Sequence, residues 1–272
     1  EPSQSSRPGI DIRRPWLDSS GMFKILLIPA FKDNYIWLLV RDGRAAVVDP
    51  GDAAPVMARL EALQLRLETI LITHHHADHQ GGVAELVERW HPRVFGPAEE
   101  SITGCTDPLS GGETIDVLGE RVAVLPVGGH TLGHIAYYVP GVVFCGDTLF
   151  GAGCGRLFEG TPAQMSASLG RLAALPDDTL IYCAHEYTEA NLRFALAVEP
   201  QNAALRRRSE RVAGLRAAGH SSVPSTLREE KETNPFLRCS EPAVIAAGLA
   251  HAAVDPERVA IFAAIRGWRN NF

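Results

Sequence analysis

A chain of 272 residues, 46% hydrophobic and 21% charged, can bury one large domain, alone or with a smaller appendage, and is not composed like a disordered or fibrous protein. Its net charge of −6 and pI near 5.9 disfavour general nucleic-acid binding, so any anionic ligand must be met by a local basic cluster. No apolar run approaches the ~18 residues of a membrane span, and five cysteines without a Cys-x-x-Cys pair suit reduced thiols in a cytoplasmic protein.

Residues 1–21 lack the long apolar core of a signal peptide and read as a tail or disordered extension outside the fold. Strands are predicted over Phe23–Pro29, Tyr35–Arg41 and Arg44–Asp49, separated by turn signals at Lys32-Asp33-Asn34 and Asp42-Gly43. A helix over Ala54–Leu65 precedes the apolar run Thr69–Thr73, and an amphipathic helix spans Val83–Trp90. Residues 97–120 read as loops and short strands. Three further strands follow, Arg121–Val127, Val142–Cys145 and Thr179–Cys183. From Tyr187 to about Leu215 the pattern is helical, and Glu241–Ala252 and Pro256–Arg266 are two more helices, Asp255 serving as N-cap of the second. The boundary falls near residue 187. A mixed α/β domain over 22–186 precedes a small helical domain over 187–272.

The chemistry concentrates at strand ends. After Thr69–Thr73 comes His74-His75-His76-Ala77-Asp78-His79, four ligand-type side chains in His-x-His-x-Asp-His order. Side-chain alternation in an extended segment would aim His74, His76 and Asp78 to one side. The three later strands run into Gly129-His130, Gly146-Asp147 and Ala184-His185. Loops beyond strand ends are where layered α/β folds assemble sites. Singly, His130 or Asp147 is as readily a loop or turn residue, and His185 a core histidine. Beside the four-ligand motif, convergence of all seven is the economical reading. Neutral imidazoles and carboxylates suit zinc, iron or manganese, and seven such donors suit two ions sharing a carboxylate. Such a pair, ~3.5–4 Å apart, can hold a bridging hydroxide, because metal binding lowers the pKa of water towards ~7. The reaction class is metal-assisted hydrolysis. His75 and His134 are assigned supporting roles, and the cysteines to packing.

Thr-His-His-His-x-Asp-His followed by a later His, Gly-Asp-Thr and a final His resembles the metallo-β-lactamase superfamily. Within it, Gly146–Phe150, Gly153–Gly160, His185–Thr188, Ile28–Tyr35 and Asn234–Arg238 resemble the hydroxyacylglutathione hydrolases, the glyoxalase II family, from Met22 to Phe272. The resemblance implies a four-layer αββα sandwich with a helical C-terminal domain. It implies a thioesterase acting on S-2-hydroxyacylglutathione such as S-D-lactoylglutathione, the second step of methylglyoxal detoxification. By the family pattern His74, His76 and His130 hold one divalent ion, Asp78, His79 and His185 the other, and Asp147 bridges. Asp78 and Asp147 are then the catalytic carboxylates beside the bridging hydroxide. Zinc is the first expectation, with iron and manganese compatible. Arg156, Tyr187, Arg266 and Arg269 match glutathione-binding positions, and guanidinium groups grip carboxylates in pairs of hydrogen bonds. Phe158 stands where animal enzymes carry a tyrosine, so that hydrogen bond should be missing. The partner is a small glutathione thioester, with no nucleic acid and no membrane, and a monomer is expected. A persulfide dioxygenase with one iron, a lactonase and a non-catalytic binding module fit less well, because the second ligand set and the basic C-terminal end are both present.

Overall fold

The structure is a computed structural model that describes residues 22–272, so the expected tail over 1–21 lies outside the described residues. Three antiparallel strands come first, β1 (Lys24–Ala30), β2 (Asn34–Arg41) and β3 (Arg44–Val48). β4 (Arg66–Leu71), β5 (Arg93–Pro97) and β6 (Asp107–Leu109) extend the sheet in parallel. Helix α1 (Ala53–Ala62) makes the first parallel crossover, and α2 (Ala77–Gln80) with α3 (Val83–Trp90) the second. The period of two in β2 separates two cores. Ile36 and Leu38 pack with Val56 and Leu60 of α1 and Val83 and Leu86 of α3. Tyr35, Trp37 and Leu39 face the opposite way, into the core shared with the second sheet. Each such buried side chain contributes roughly 1.5–3 kcal/mol of transfer free energy.

The second sheet holds β7 (Thr114–Val117), β8 (Glu120–Pro126), β9 (Ile135–Val139) and β10 (Val142–Gly146). A small hairpin follows, β11 (Leu149–Phe150) with β12 (Gly153–Cys154), then α4 (Pro162–Ala173) and β13 (Leu180–Cys183). After it come α5 (Thr188–Val198), α6 (Ala203–Ala217), β14 (Ser225–Thr226), α7 (Leu227–Thr233), α8 (Pro242–Ala250) and α9 (Arg258–Asn270). Strand order is β14-β13-β10-β9-β8-β7. Met165 and Leu169 of α4 and Ile261 and Phe262 of α9 belong to the same core as Val124, Tyr137 and Phe144 of this sheet. The layers are therefore helix, sheet, sheet, helix, with both sheets ending at one rim.

Helix limits differ from the sequence reading in places. The helical pattern over Tyr187–Leu215 divides into α5 and α6, because Pro200 offers no amide and Asn202 accepts from the Ala204 and Leu205 amides to start a new helix. Asp255 is not the N-cap of α9. Its carboxylate takes the Glu257 amide at 2.9 Å in a turn, and Glu257 is the cap residue. Side chains on both sides of residue 187 share one hydrophobic core, Phe194, Phe236 and Phe262 joining Phe144 and Tyr182.

Candidate metal centre

Five of the seven ligand-type residues sit just past the end of a strand. His74 and His76 follow β4, His130 follows β8, Asp147 follows β10 and His185 follows β13. The expected alternation of His74, His76 and Asp78 stops at His76, the last extended residue, and Asp78 and His79 lie on the short helix α2. Close backbone approach makes this possible. Gly146 has φ +50°, and a Cβ there would strike Thr73 Oγ1 and the His134 ring.

Hydrogen bonds on the far side of each ring fix which nitrogen carries the proton. His130 Nδ1 lies 2.7 Å from the Arg156 carbonyl oxygen, which can only accept, so Nε2 keeps its lone pair. Thr73 Oγ1 donates its proton to Asp49 Oδ2 at 2.8 Å and therefore accepts from His74 Nδ1 at 3.0 Å. That leaves a lone pair on His74 Nε2. Both lone pairs converge on His76 Nδ1, at 3.0 Å from His74 and 3.1 Å from His130. One proton on His76 could satisfy only one of them. A cation among the three satisfies all.

The second set repeats the logic. His79 donates from Nδ1 to Asp49 Oδ2 at 3.1 Å, and His185 from Nδ1 to Asp33 Oδ1 at 3.0 Å. Their Nε2 atoms both face Asp78 Oδ2 at 3.5 Å, and Asp147 Oδ1 at 3.5 Å and 3.4 Å. His79 Nε2 and Asp147 Oδ1 are buried without a hydrogen-bond partner. Lone pair against carboxylate is repulsive, and an unsatisfied buried polar atom costs about 1–3 kcal/mol. Asp147 also reaches the first set, 3.4 Å from His130 Nε2. The donors thus form three tight groups, His74/His76/His130, His74/His79/Asp147 and Asp78/His79/His185. This donor set fits a pair of divalent ions.

The electrostatics agree. Burial, with His79 and His134 alongside, pushes the His74 imidazole well below its usual value and keeps it neutral, as a ligand must be. Burial would raise the Asp147 carboxyl, but His79 and His185 hold it below the usual carboxylate range. Burial would likewise raise Asp78, which His79 and Asn34 hold low. His79 and His185 are raised against the effect of burial, chiefly by Asp147, so where no cation lies between Nε2 and the carboxylates a second ring proton relieves the repulsion, and a bound ion would displace it. The centre calls for positive charge.

Supporting residues surround it. His134 stacks on His74 with centroids 4.6 Å apart and accepts the Asp147 amide at Nε2, 3.1 Å away. His75 points away from the cluster, held by Glu100 at 3.0 Å and Glu159 at 3.2 Å. Sequence reasoning missed Asp49, Glu100 and Asp33 as supports. Asp49 had a signal, since it follows β3 as the ligands follow the other strands.

Arg156 is exposed beside the cluster, its guanidinium 5.4 Å from the Phe158 ring centroid. Phe158 is itself 59% exposed and sets its edge against His76 and His130, at 5.4 Å and 5.2 Å. Tyr187 stacks on His185 with centroids 4.7 Å apart. Arg266 is buried, bonded to Asn270 Oδ1 at 2.5 Å and more weakly to the Cys154 carbonyl at 3.5 Å, and its Nε has no partner. Arg269 is half-buried, 3.4 Å from Asn191 Oδ1. A cavity of about 750 Å3 lies elsewhere, lined by Glu199, Arg238, His251 and Trp268 among others, and contains none of the cluster residues.

Residues 31–185 match the model of the metallo-beta-lactamase superfamily, which sets the class of this fold and centre. Residues 186–272 match the hydroxyacylglutathione hydrolase C-terminus. A hydroxyacylglutathione hydrolase of Dechloromonas aromatica (strain RCB) is 69% identical over 92% of this chain and 100% of its own length. One of Methylobacillus flagellatus is 56% identical over the same shares. ETHE1 from Myxococcus xanthus superposes with a TM-score of 0.63 at 25% identity, over 91% of this chain and 98% of that one. A protein solved in a di-iron-bound form gives a TM-score of 0.51 at 30% identity, over 60% of this chain and 91% of that one. The chain belongs to the hydroxyacylglutathione hydrolase family.

Proposed function

We propose that this chain hydrolyses the thioester of S-2-hydroxyacylglutathiones, S-D-lactoylglutathione among them, to glutathione and a 2-hydroxy acid. The observation that carries the reading is the convergence of two histidine sets on one buried carboxylate, Asp147, whose Oδ1 has no partner. Two divalent ions, zinc first among those these donors accept, would polarise the thioester carbonyl and acidify a water molecule. His74, His76 and His130 would hold one ion through ring nitrogens, His79 and His185 with an Asp78 carboxylate oxygen would hold the other, and Asp147 would serve both. Asp147 and Asp78, both held ionised, would offset part of the charge of the two ions. Asp78, its side chain 42% exposed, opens the second set to solvent and would accept a hydrogen bond from water held at the centre.

Glutathione carries two carboxylates, and the helical residues 187–272 supply unspent donors for them. Burial, then Arg266 and Arg193, press Arg269 below its usual value, the mark of a guanidinium cluster short of an anion. Arg266 and Arg269 would take a carboxylate, Arg156 stands just after the β11–β12 hairpin beside Phe158, and Tyr187 places its ring beside His185. The five cysteines are all free, which suits a thiol-reducing compartment such as the cytoplasm, and the chain acts as a monomer. No described helix is long and apolar enough to cross a membrane.

The test is thiol release from S-D-lactoylglutathione by purified protein, beside a chelator-stripped sample. Rapid release that disappears on stripping and returns with added zinc is expected. Absence of release from fully metallated protein would overturn the reading.

A further inference from the structure

The turn between β1 and β2, residues 31–33, reaches across the rim from the first sheet to the end of the second. The Glu186 amide donates to the Asp33 carbonyl at 2.9 Å, and the Tyr35 amide donates to the Ala184 carbonyl at 2.7 Å. Asn34 and His185 form an isolated antiparallel bridge. Tyr35 Oη donates to Glu186 Oε2 at 2.8 Å, securing the same contact from a side chain. The turn is thereby pinned by backbone and side chain beside the centre.

From this pinned position two adjacent side chains reach two ligands. Asp33 Oδ1 accepts from His185 Nδ1 at 3.0 Å, fixing the tautomer that leaves Nε2 facing Asp78 and Asp147. Asn34, only 7% exposed, donates from Nδ2 to Asp78 Oδ2 at 3.0 Å and to the Asp78 carbonyl at 3.3 Å. Both contacts fall on one donor group, Asp78/His79/His185. The supports of the other group come from elsewhere, Thr73 holding His74 and the Arg156 carbonyl holding His130. Asp49 is shared, its Oδ2 accepting from Thr73 behind His74 and from His79. The first hairpin is not shared, since among the ligand-type residues the side chains of Asp33 and Asn34 bond only to those of the Asp78/His79/His185 half.

We propose that Asp33 and Asn34 are positioning residues that set the affinity of the Asp78/His79/His185 half for its ion, independently of the His74/His76/His130 half. This rests on the dinuclear reading above. A carboxylate or amide behind a ligand fixes its orientation and basicity, and losing such a partner typically costs about 10- to 100-fold in metal affinity. The loss should fall on one ion of the two.

The experiment is a competition titration of metal-stripped protein with zinc against a chromophoric chelator, joined to metal analysis after dialysis. Wild type is expected to bind two ions in resolvable steps. Asp33→Ala and Asn34→Ala should each weaken one step about 10- to 100-fold and leave the other within about threefold, so dialysed protein retains close to one ion. Asp33→Asn keeps an oxygen that accepts from His185 Nδ1 and should recover most of the lost affinity, which a merely destabilised fold would not. The retained first step reports in the same titration that each variant is folded. Two intact steps in both alanine variants, or equal weakening of both steps, would overturn the inference while leaving two ions in the wild type. A wild type that binds fewer than two ions would remove the dinuclear reading and this inference together.

Discussion

Arg269 is a guanidinium without an ion-pair partner among the described residues. Its nearest hydrogen-bond acceptor is Asn191 Oδ1 at 3.4 Å, and its charge lies 5.8 Å from the Phe194 ring centroid. A half-buried cation in that state gains from an arriving carboxylate, and hydrogen bonds to charged groups contribute about 1.5–3 kcal/mol. Arg269→Ala should therefore raise KM for the glutathione thioester about 10- to 100-fold with kcat almost unchanged, the signature of lost uniform binding. Steady-state kinetics check it, and an unchanged KM would remove α9 from the substrate. Single residues also show what sequence can reveal. His74, His76, Asp78 and His79 stand out because four ligand types in six residues have no ordinary structural use. Asp49, Glu100 and Asp33 do not stand out, because a lone carboxylate in a loop is usually a cap or turn residue. Asp52, three residues after Asp49, is such a cap, accepting the Ala54 amide at 3.0 Å.

The β11–β12 hairpin is one element through which the helical part meets the centre, since it runs between Asp147 and Arg156. Its backbone is held by α7 and the residue that follows it. Glu230 Oε2 accepts the Ala152 amide at 2.8 Å, while Asn234 Nδ2 donates to the Gly153 and Phe150 carbonyls at 2.9 Å and 3.2 Å. Glu230 is fully buried, and its other oxygen pairs with the buried Arg208 of α6 at 2.5 Å. Removing one partner of a buried pair leaves the other charge uncompensated. Glu230→Ala should cost about 3–5 kcal/mol in urea unfolding, whereas Glu230→Leu combined with Arg208→Met should recover most of it. A single variant that unfolds at the wild-type urea concentration would show that the pair does not hold the hairpin. Such elements escape sequence reading for physical reasons. Strands of two residues, Leu149–Phe150 and Gly153–Cys154, are too short for alternation to register. The sequence reading missed α4, whose signal was the capping box of Thr161 and Gln164, because Ser166, Ser168 and Gly170 blur its apolar stripe. Long period-two strands such as β2 were legible almost to the residue.

Across the whole molecule, each ligand set joins the two sheets. His74 and His76 after β4 meet His130 after β8, and Asp78 and His79 on α2 meet His185 after β13. An ion held by either set would add a crosslink between halves already joined by apolar packing and by hydrogen bonds such as those of Tyr35 to Ala184 and Glu186, Trp37 to Cys183 and Tyr137 to Ile72. Binding to the folded chain alone stabilises it by about 4 kcal/mol when free metal is 1,000-fold above Kd. For a domain of this size each kcal/mol moves Tm by roughly 2–4 °C, so each ion contributes on the order of 10 °C. The stripped protein should keep its far-ultraviolet circular dichroism, because the layers are packed by buried aliphatic and aromatic side chains remote from the ligands. Its Tm should fall by on the order of 10 °C or more relative to the metallated form and return when zinc is restored. Thermal unfolding followed by circular dichroism, with and without chelator, makes the measurement. A Tm that ignores the metal would mean that the folded chain does not bind the ions in preference to the unfolded one, and the crosslink between the sheets would fall with it.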